Sequence, residues 1–343
     1  MEKTDVYIPN ILDYQTSEET QDTFLAWLLQ WSEKKYKKIN EKLHSCACDM
    51  LELFIDEKID VTSMEVYKKY EDIDLWFIIN NNTILIIEDK TFNSVQDNGL
   101  EEYKRFAENW CNDFLSSYKL KCVYCKTDDY TYSESDYVKK SGYKAINRKD
   151  ILRVLKKHYE SANNDFIKDY YLYFSKIEHI ENEVFEKRFD EIKQCKDDLL
   201  IHMKGFSSYF SNKLKADWKF VDKPNNPYIA MFWNWKPWEY GEYFLEFENF
   251  SLKLKVYIDL SLRTNLSPSD IRKLAWDKVI NIIEHKGYKI SKPDKLRGST
   301  TTTIGCLDES MWLYKDNDGN IDKEETLKKL KSLDTLLSEI VSK

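Results

Sequence analysis

Four carboxylates and a lysine stand at the ends of two apolar stretches, Asp72-Ile73-Asp74-Leu75-Trp76-Phe77-Ile78-Ile79 and Ile84-Leu85-Ile86-Ile87-Glu88-Asp89-Lys90. Charge at the end of an apolar strand opposes folding, so chemistry explains Glu88, Asp89 and Lys90 better than stability does. Facing carboxylates repel, a divalent cation relieves the repulsion, and oxygen-only ligands suit magnesium or manganese (Mg2+ or Mn2+). A lysine beside that cation can position a water or stabilise negative charge developing on phosphorus. The chemistry in prospect is metal-assisted phosphodiester hydrolysis.

These groups must be brought together by a turn. Asn80-Asn81-Asn82 is such a signal, because Asn tolerates positive φ. A hairpin folded about Asn81 sets Asp74 opposite Glu88 and Asp72 opposite Lys90. Opposed residues share a sheet face, as do residues two apart, so Asp74, Glu88 and Lys90 converge while Asp89 points to the other side.

An Asp, a hairpin's length, then Glu-x-Lys at the end of an apolar strand resembles the PD-(D/E)XK nuclease superfamily. The resemblance implies that Asp74 is the first metal-binding acid, Glu88 the second and Lys90 the catalytic lysine, with the Asp89 main-chain carbonyl as a further metal oxygen. Ile73 stands where relatives usually have Pro. Many relatives add an acid from the first helix; here Glu19 is the expected catalytic and metal-binding equivalent, with Asp22 its rival one turn along the same face. Thr16-Ser17-Glu18-Glu19 also has the form of a capping box, with Thr16 as N-cap and Glu19 at the third helical position. The Gln-Leu-x-x-Tyr pattern of relatives reads Gly99-Leu100-Glu101-Glu102-Tyr103, without the glutamine.

Other metal and nucleotide chemistries have little material. Cys122-Val123-Tyr124-Cys125 has the spacing of a zinc knuckle but lacks the glycine-rich turn, and reads better as a buried strand. The histidines, His44, His158, His179, His202 and His285, show no ligand spacing. No Gly-rich phosphate loop is present, and only eight glycines could build one. The formal charge of -8 argues against indiscriminate coating of nucleic acid. Lys34-Lys35-Tyr36-Lys37-Lys38, Lys139-Lys140 and Arg153 with Lys156-Lys157 read singly as solvated helix faces. The first residues lack a basic, apolar leader, no run is long enough to span a bilayer, and an odd cysteine count suits a reducing compartment, so a cytoplasmic protein is expected.

The amino half reads as helix, helix, strand, the hairpin, helix, strand and strand, with Asp128 to Ser135 as a loop. This order predicts an α/β fold: a mixed β-sheet flanked by helices, the restriction-endonuclease-like core of the resemblance. The expected domains are a nuclease-like domain over 1–180, a helical connector over 181–212, and an α+β carboxy-terminal domain with an antiparallel sheet over 213–343. In that last domain Trp233 and Trp235 fall on one face of a strand with Trp238 and lysines nearby, a pattern of core or of base stacking.

The leading functional expectation is a metal-dependent nuclease whose partner is nucleic acid, DNA first; a homo-oligomer or a protein partner is compatible with it, a membrane is not. The alternative is a silent nuclease-fold binding module. The resemblance also implies a defence effector held silent until it meets a phage component.

Overall fold

A computed structural model describes residues 10, 12, 17–91, 99–115, 117–196, 198–224, 227–262, 265–293 and 300–342. The chain divides into two compact units, 1–130 with 134–178, and 131–133 with 179–343.

The first unit contains α1 (Glu18–Gln30), α2 (Glu41–Ile55), β1 (Met64–Tyr70), β2 (Ile73–Ile79), β3 (Thr83–Lys90), α3 (Gly99–Phe114), β4 (Lys119–Lys126), most of α4 (Tyr132–Lys140), β5 (Lys144–Asn147), α5 (Arg148–Leu155) and most of α6 (Asp165–Glu183). Its five strands lie in sequence order. Tight turns join β1, β2 and β3, which are antiparallel; α3 and α4 cross over between β3, β4 and β5, which are parallel. Glu71 and Asp72 hold the first turn and Asn80 and Asn81 the second, all at φ between 49° and 65°. The second turn gives the register expected for a hairpin about Asn81, with Leu75 opposite Ile87 and Ile79 opposite Thr83. Asp72, expected opposite Lys90, instead sits in the first turn at φ 65°.

Helices cover both sheet faces, so β2 and β3 are apolar almost throughout. Leu75, Phe77, Leu85 and Ile87 pack with Leu25, Leu28, Met50 and Phe54 of α1 and α2. Trp76, Ile84 and Ile86 pack with Leu100, Ala107 and Cys111 of α3 and Val138 of α4. Each fully buried large apolar side chain contributes about 1.5–3 kcal/mol. The alternation places Glu88 and Lys90 on the face of Ile84 and Ile86, and Asp89 on the other. The expected loop at 128–135 is helical from Tyr132 onward; Val138 anchors that short helix to the core despite its polar start.

The second unit holds α7 (Phe189–Gln194), α8 (Leu199–Leu214), β6 (Asp217–Val221), β7 (Tyr228–Trp238), β8 (Gly241–Glu248), β9 (Ser251–Ile258), α9 (Pro268–His285), β10 (Ile290–Ser291), β11 (Thr301–Leu307), α10 (Glu309–Trp312) and α11 (Lys323–Ser342). Its sheet is antiparallel, in the order β10-β11-β9-β8-β7-β6. Of the stretch 181–212 expected as a connector, Val184, Phe189, Ile192, Met203, Phe206 and Phe210 are buried in this unit's core.

A bulge breaks the register of β7 between Trp233 and Lys236, with Asn234 at φ 60°. The extra residue undoes the shared face expected for Trp233 and Trp235. Trp233 is buried and donates its Nε1 proton to Asp334 Oδ1 at 2.8 Å, whereas Trp235 is exposed and stacks on Phe244. No helix among the described residues is long and apolar enough to cross a membrane.

Candidate active site

β2 begins where β3 ends, and the last pair of their register is Leu75 with Ile87. One step further the Asp89 N–H donates to Asp74 Oδ2 at 2.9 Å. Lys90 Nζ lies 2.7 Å from Glu88 Oε1, 3.2 Å from Asp74 Oδ2 and 2.8 Å from the Asp89 carbonyl oxygen. One ammonium thus ties together both acids and the main chain between them. Asp74 and Glu88 are each 4 % exposed. Lys69 of β1 adds a second ammonium, donating to Asp74 Oδ1 and lying 3.6 Å from Asp22 Oδ2.

The amino-terminal turn of α1 closes the site. Ser17, not Thr16, is its N-cap: Ser17 Oγ accepts the Thr20 N–H at 3.2 Å, and Thr16 lies outside the described residues. This frame shifts the helix acids relative to the capping-box expectation. Glu18 Oε2 comes within 3.9 Å of Lys90 Nζ, and Asp22 is fully buried beside Lys69. Glu19 is exposed and lines an apolar pocket with Phe24, Trp27, Phe166 and Tyr170. The acids that α1 turns toward the sheet end are therefore Glu18 and Asp22, one helical turn apart. Gln21 shares that face and donates its amide to Asp89 Oδ1 on the far side of β3.

Burial and charge pull these groups in different directions. Burial raises Glu88 to about 7, with Asp74 adding to the rise and Lys90 opposing it. Burial and then Asp74 raise Asp22 to about 6. Burial works against Asp74 as well, but Lys69, Lys90 and the Asp89 N–H outweigh it and hold that carboxylate below its usual value. Asp89 is pushed well above the carboxylate range by burial, then by Asp22 and Asp74. Burial opposes the charge on Lys90, yet Glu88, Asp74 and Glu18 keep its ammonium firmly protonated.

Glu88 Oε2 and both oxygens of Asp22 are buried without a hydrogen-bond partner. Orphaned acceptors of this kind are costly, and here they adjoin a further carboxylate and a main-chain carbonyl. The donors are all hard oxygens, the set that a divalent cation such as magnesium or manganese takes.

Residues 9–176 match the family model of the PD-(D/E)XK nuclease superfamily. These residues belong to that superfamily. No curated protein and no solved structure matches the chain. The PD-(D/E)XK match ends with the first unit, and within it the residues quoted for the resemblance, Asp74, Glu88 and Lys90, are joined by contacts to one ammonium.

Other groups considered from the sequence lie outside this cluster. Cys125 packs on the α1 face of β4 and Cys122 on the α3 face, so the two thiols point to opposite sides of the sheet. Lys34, Lys35 and Lys37 pair with Asp60, Glu33 and Glu41, and Arg153 pairs with Asp150, as ordinary surface lysines and arginines do. Tyr103, the tyrosine of the altered pattern on α3, is half-buried, and burial followed by Glu88 raises its phenol above the usual value. Sequence reasoning missed Glu18, Gln21 and Lys69. The helical spacing of 18, 21 and 22 and a hairpin turn at Glu71-Asp72 were the signals that could have found them.

Proposed function

We propose that the first unit is a divalent-metal-dependent nuclease acting on DNA. The observation that carries the reading is the convergence of Asp74, Glu88 and the Asp89 carbonyl on Lys90, beside orphaned carboxylate oxygens, within a PD-(D/E)XK sequence match. Asp74, Glu88 and the Asp89 carbonyl are the residues to hold the cation, with Asp22 or Glu18 as the helix acid. When bound, magnesium or manganese supplies Lewis-acid stabilisation of the phosphate and lowers the pKa of a water. Lys90 remains charged at working pH, so it acts by orienting the nucleophilic water and by stabilising negative charge on phosphorus, not as a general base. Its contacts to both acids, with its side chain 13 % exposed, hold the ammonium within the cluster.

The test is cleavage of plasmid and linear DNA by the purified chain with magnesium, manganese or chelator. Cleavage that needs the metal and disappears in Asp74→Ala and Lys90→Ala agrees with the reading; undiminished cleavage by both variants refutes it. RNA in parallel reactions separates the substrate classes. A defence role extends the same reading, and rests on the family alone: cells carrying the chain should resist phage infection, and Lys90→Ala should remove the resistance.

A further inference from the structure

Lys69 has no part in the scheme above, yet it makes the other half of the contacts to Asp74. The pairs Lys68 with Leu75 and Tyr70 with Ile73 bracket Lys69 opposite Asp74, so the two side chains share a sheet face. The Lys69 backbone is at φ 54°, a left-handed conformation that L residues adopt against a steric cost. Its ammonium donates to Asp74 Oδ1 and lies 3.6 Å from Asp22 Oδ2, bridging two buried carboxylates from different elements. Such bridging is what a cation between two hard ligands does.

Lys69 and Lys90 differ in their freedom to leave. The Lys90 side chain is 13 % exposed and is fastened by Glu88, Asp74 and the Asp89 carbonyl. The Lys69 side chain is 55 % exposed and, among the described residues, is paired with the two aspartates. Rotation of its long side chain empties the position without moving a strand. No other cation is within ion-pair distance of Asp22 among the described residues.

We propose that Lys69 is a tethered counter-ion that holds the seat between Asp74 and Asp22 and exchanges with a divalent cation. The proposal rests on the metal-binding reading of the site. It has two consequences. The charged hydrogen bond to Asp74 must be broken for the metal to enter, which weakens the observed affinity. Removal of the ammonium leaves Asp22 with no cation within ion-pair distance among the described residues and Asp74 with Lys90 alone, so a bound metal relieves more repulsion than it does in the wild type.

The test is calorimetric titration of manganese into the full chain as wild type, Lys69→Gln, Lys69→Arg and Asp74→Ala, with melting temperatures measured in chelator and in manganese. Lys69→Gln should bind manganese about tenfold more tightly than wild type. Its melting temperature should fall in chelator and rise more than that of wild type on adding manganese. Lys69→Arg, which keeps the charge, should stay near wild type, and Asp74→Ala should lose binding. Equal or weaker binding by Lys69→Gln, with binding still abolished in Asp74→Ala, overturns the role of Lys69 and leaves the metal site standing. Absence of binding in every form overturns both. Should Lys69→Gln fail to fold in chelator, recovery of the folded form in manganese supports the exchange, and failure to recover refutes it.

Discussion

Lys90 Nζ and Glu88 Oε1 are 2.7 Å apart on one face of β3. The pair sets an ammonium against a buried acid, and in the nuclease reading proposed above that ammonium supplies the positive charge for the phosphate. Lys90→Met removes that charge while keeping the apolar stem. In manganese, its single-turnover DNA cleavage should fall by about 100-fold or more, the usual cost of losing a transition-state donor. Manganese binding measured by calorimetry should survive, because the carboxylates remain.

The first helix offers a choice between two acids that sequence alone leaves open. Asp22 is fully buried against Lys69, whereas Glu19 is exposed. Asp22→Asn should weaken manganese binding and slow cleavage by about tenfold or more, and Glu19→Gln should change each less than about threefold. A large defect in Glu19→Gln with none in Asp22→Asn would reverse the assignment.

Proton uptake follows from the raised acids. Burial, with help from Asp74, lifts Glu88 from 4.5 to about 7 and Asp22 from 3.8 to about 6. Between those values the folded chain binds more protons than the unfolded one at these two positions. Their contribution to metal-free stability is therefore largest in acid and is lost as pH rises toward 7. Asp74 has the opposite sign: its lowered pKa stabilises the fold above 3.8 and the benefit vanishes as pH falls below that. Manganese selects the deprotonated carboxylates, so its affinity should rise with pH up to about 7, by as much as about tenfold per unit for each proton released, and then level off. Calorimetry across this range in two buffers of different ionisation enthalpy would count the protons; a flat profile would contradict the raised acids.

The turn that sets the register should be sensitive to backbone rather than to side chain at one position. Asn81 has φ 56°. Asn81→Ala should destabilise the chain by about 1 kcal/mol or more, and Asn81→Gly should be neutral or slightly stabilising, read from denaturant midpoints. Asn80 should tolerate neither change, since its side chain also accepts from Thr62 N–H and Thr62 Oγ1 and donates to the Asp60 carbonyl.

The chain's own order of residues determines the hairpin, its register and the face shared by Glu88 and Lys90, because strand alternation and the Asn turn are local and leave few alternatives. The mixed sheet flanked by helices follows from the same local patterns. Tertiary structure alone decided the rest. Which acid of α1 faces the strand ends depends on the helix frame, set by Ser17 as cap and by the packing of Leu25 and Leu28 on the sheet. Lys69 meets Asp74 because β1 pairs beside β2, and its bridge to Asp22 needs α1 to cross the same end. The separation of Trp233 from Trp235 depends on a one-residue bulge at Asn234, which periodicity cannot show. Contacts between elements distant in sequence are governed by packing and desolvation, and neither is written in the spacing of any single element.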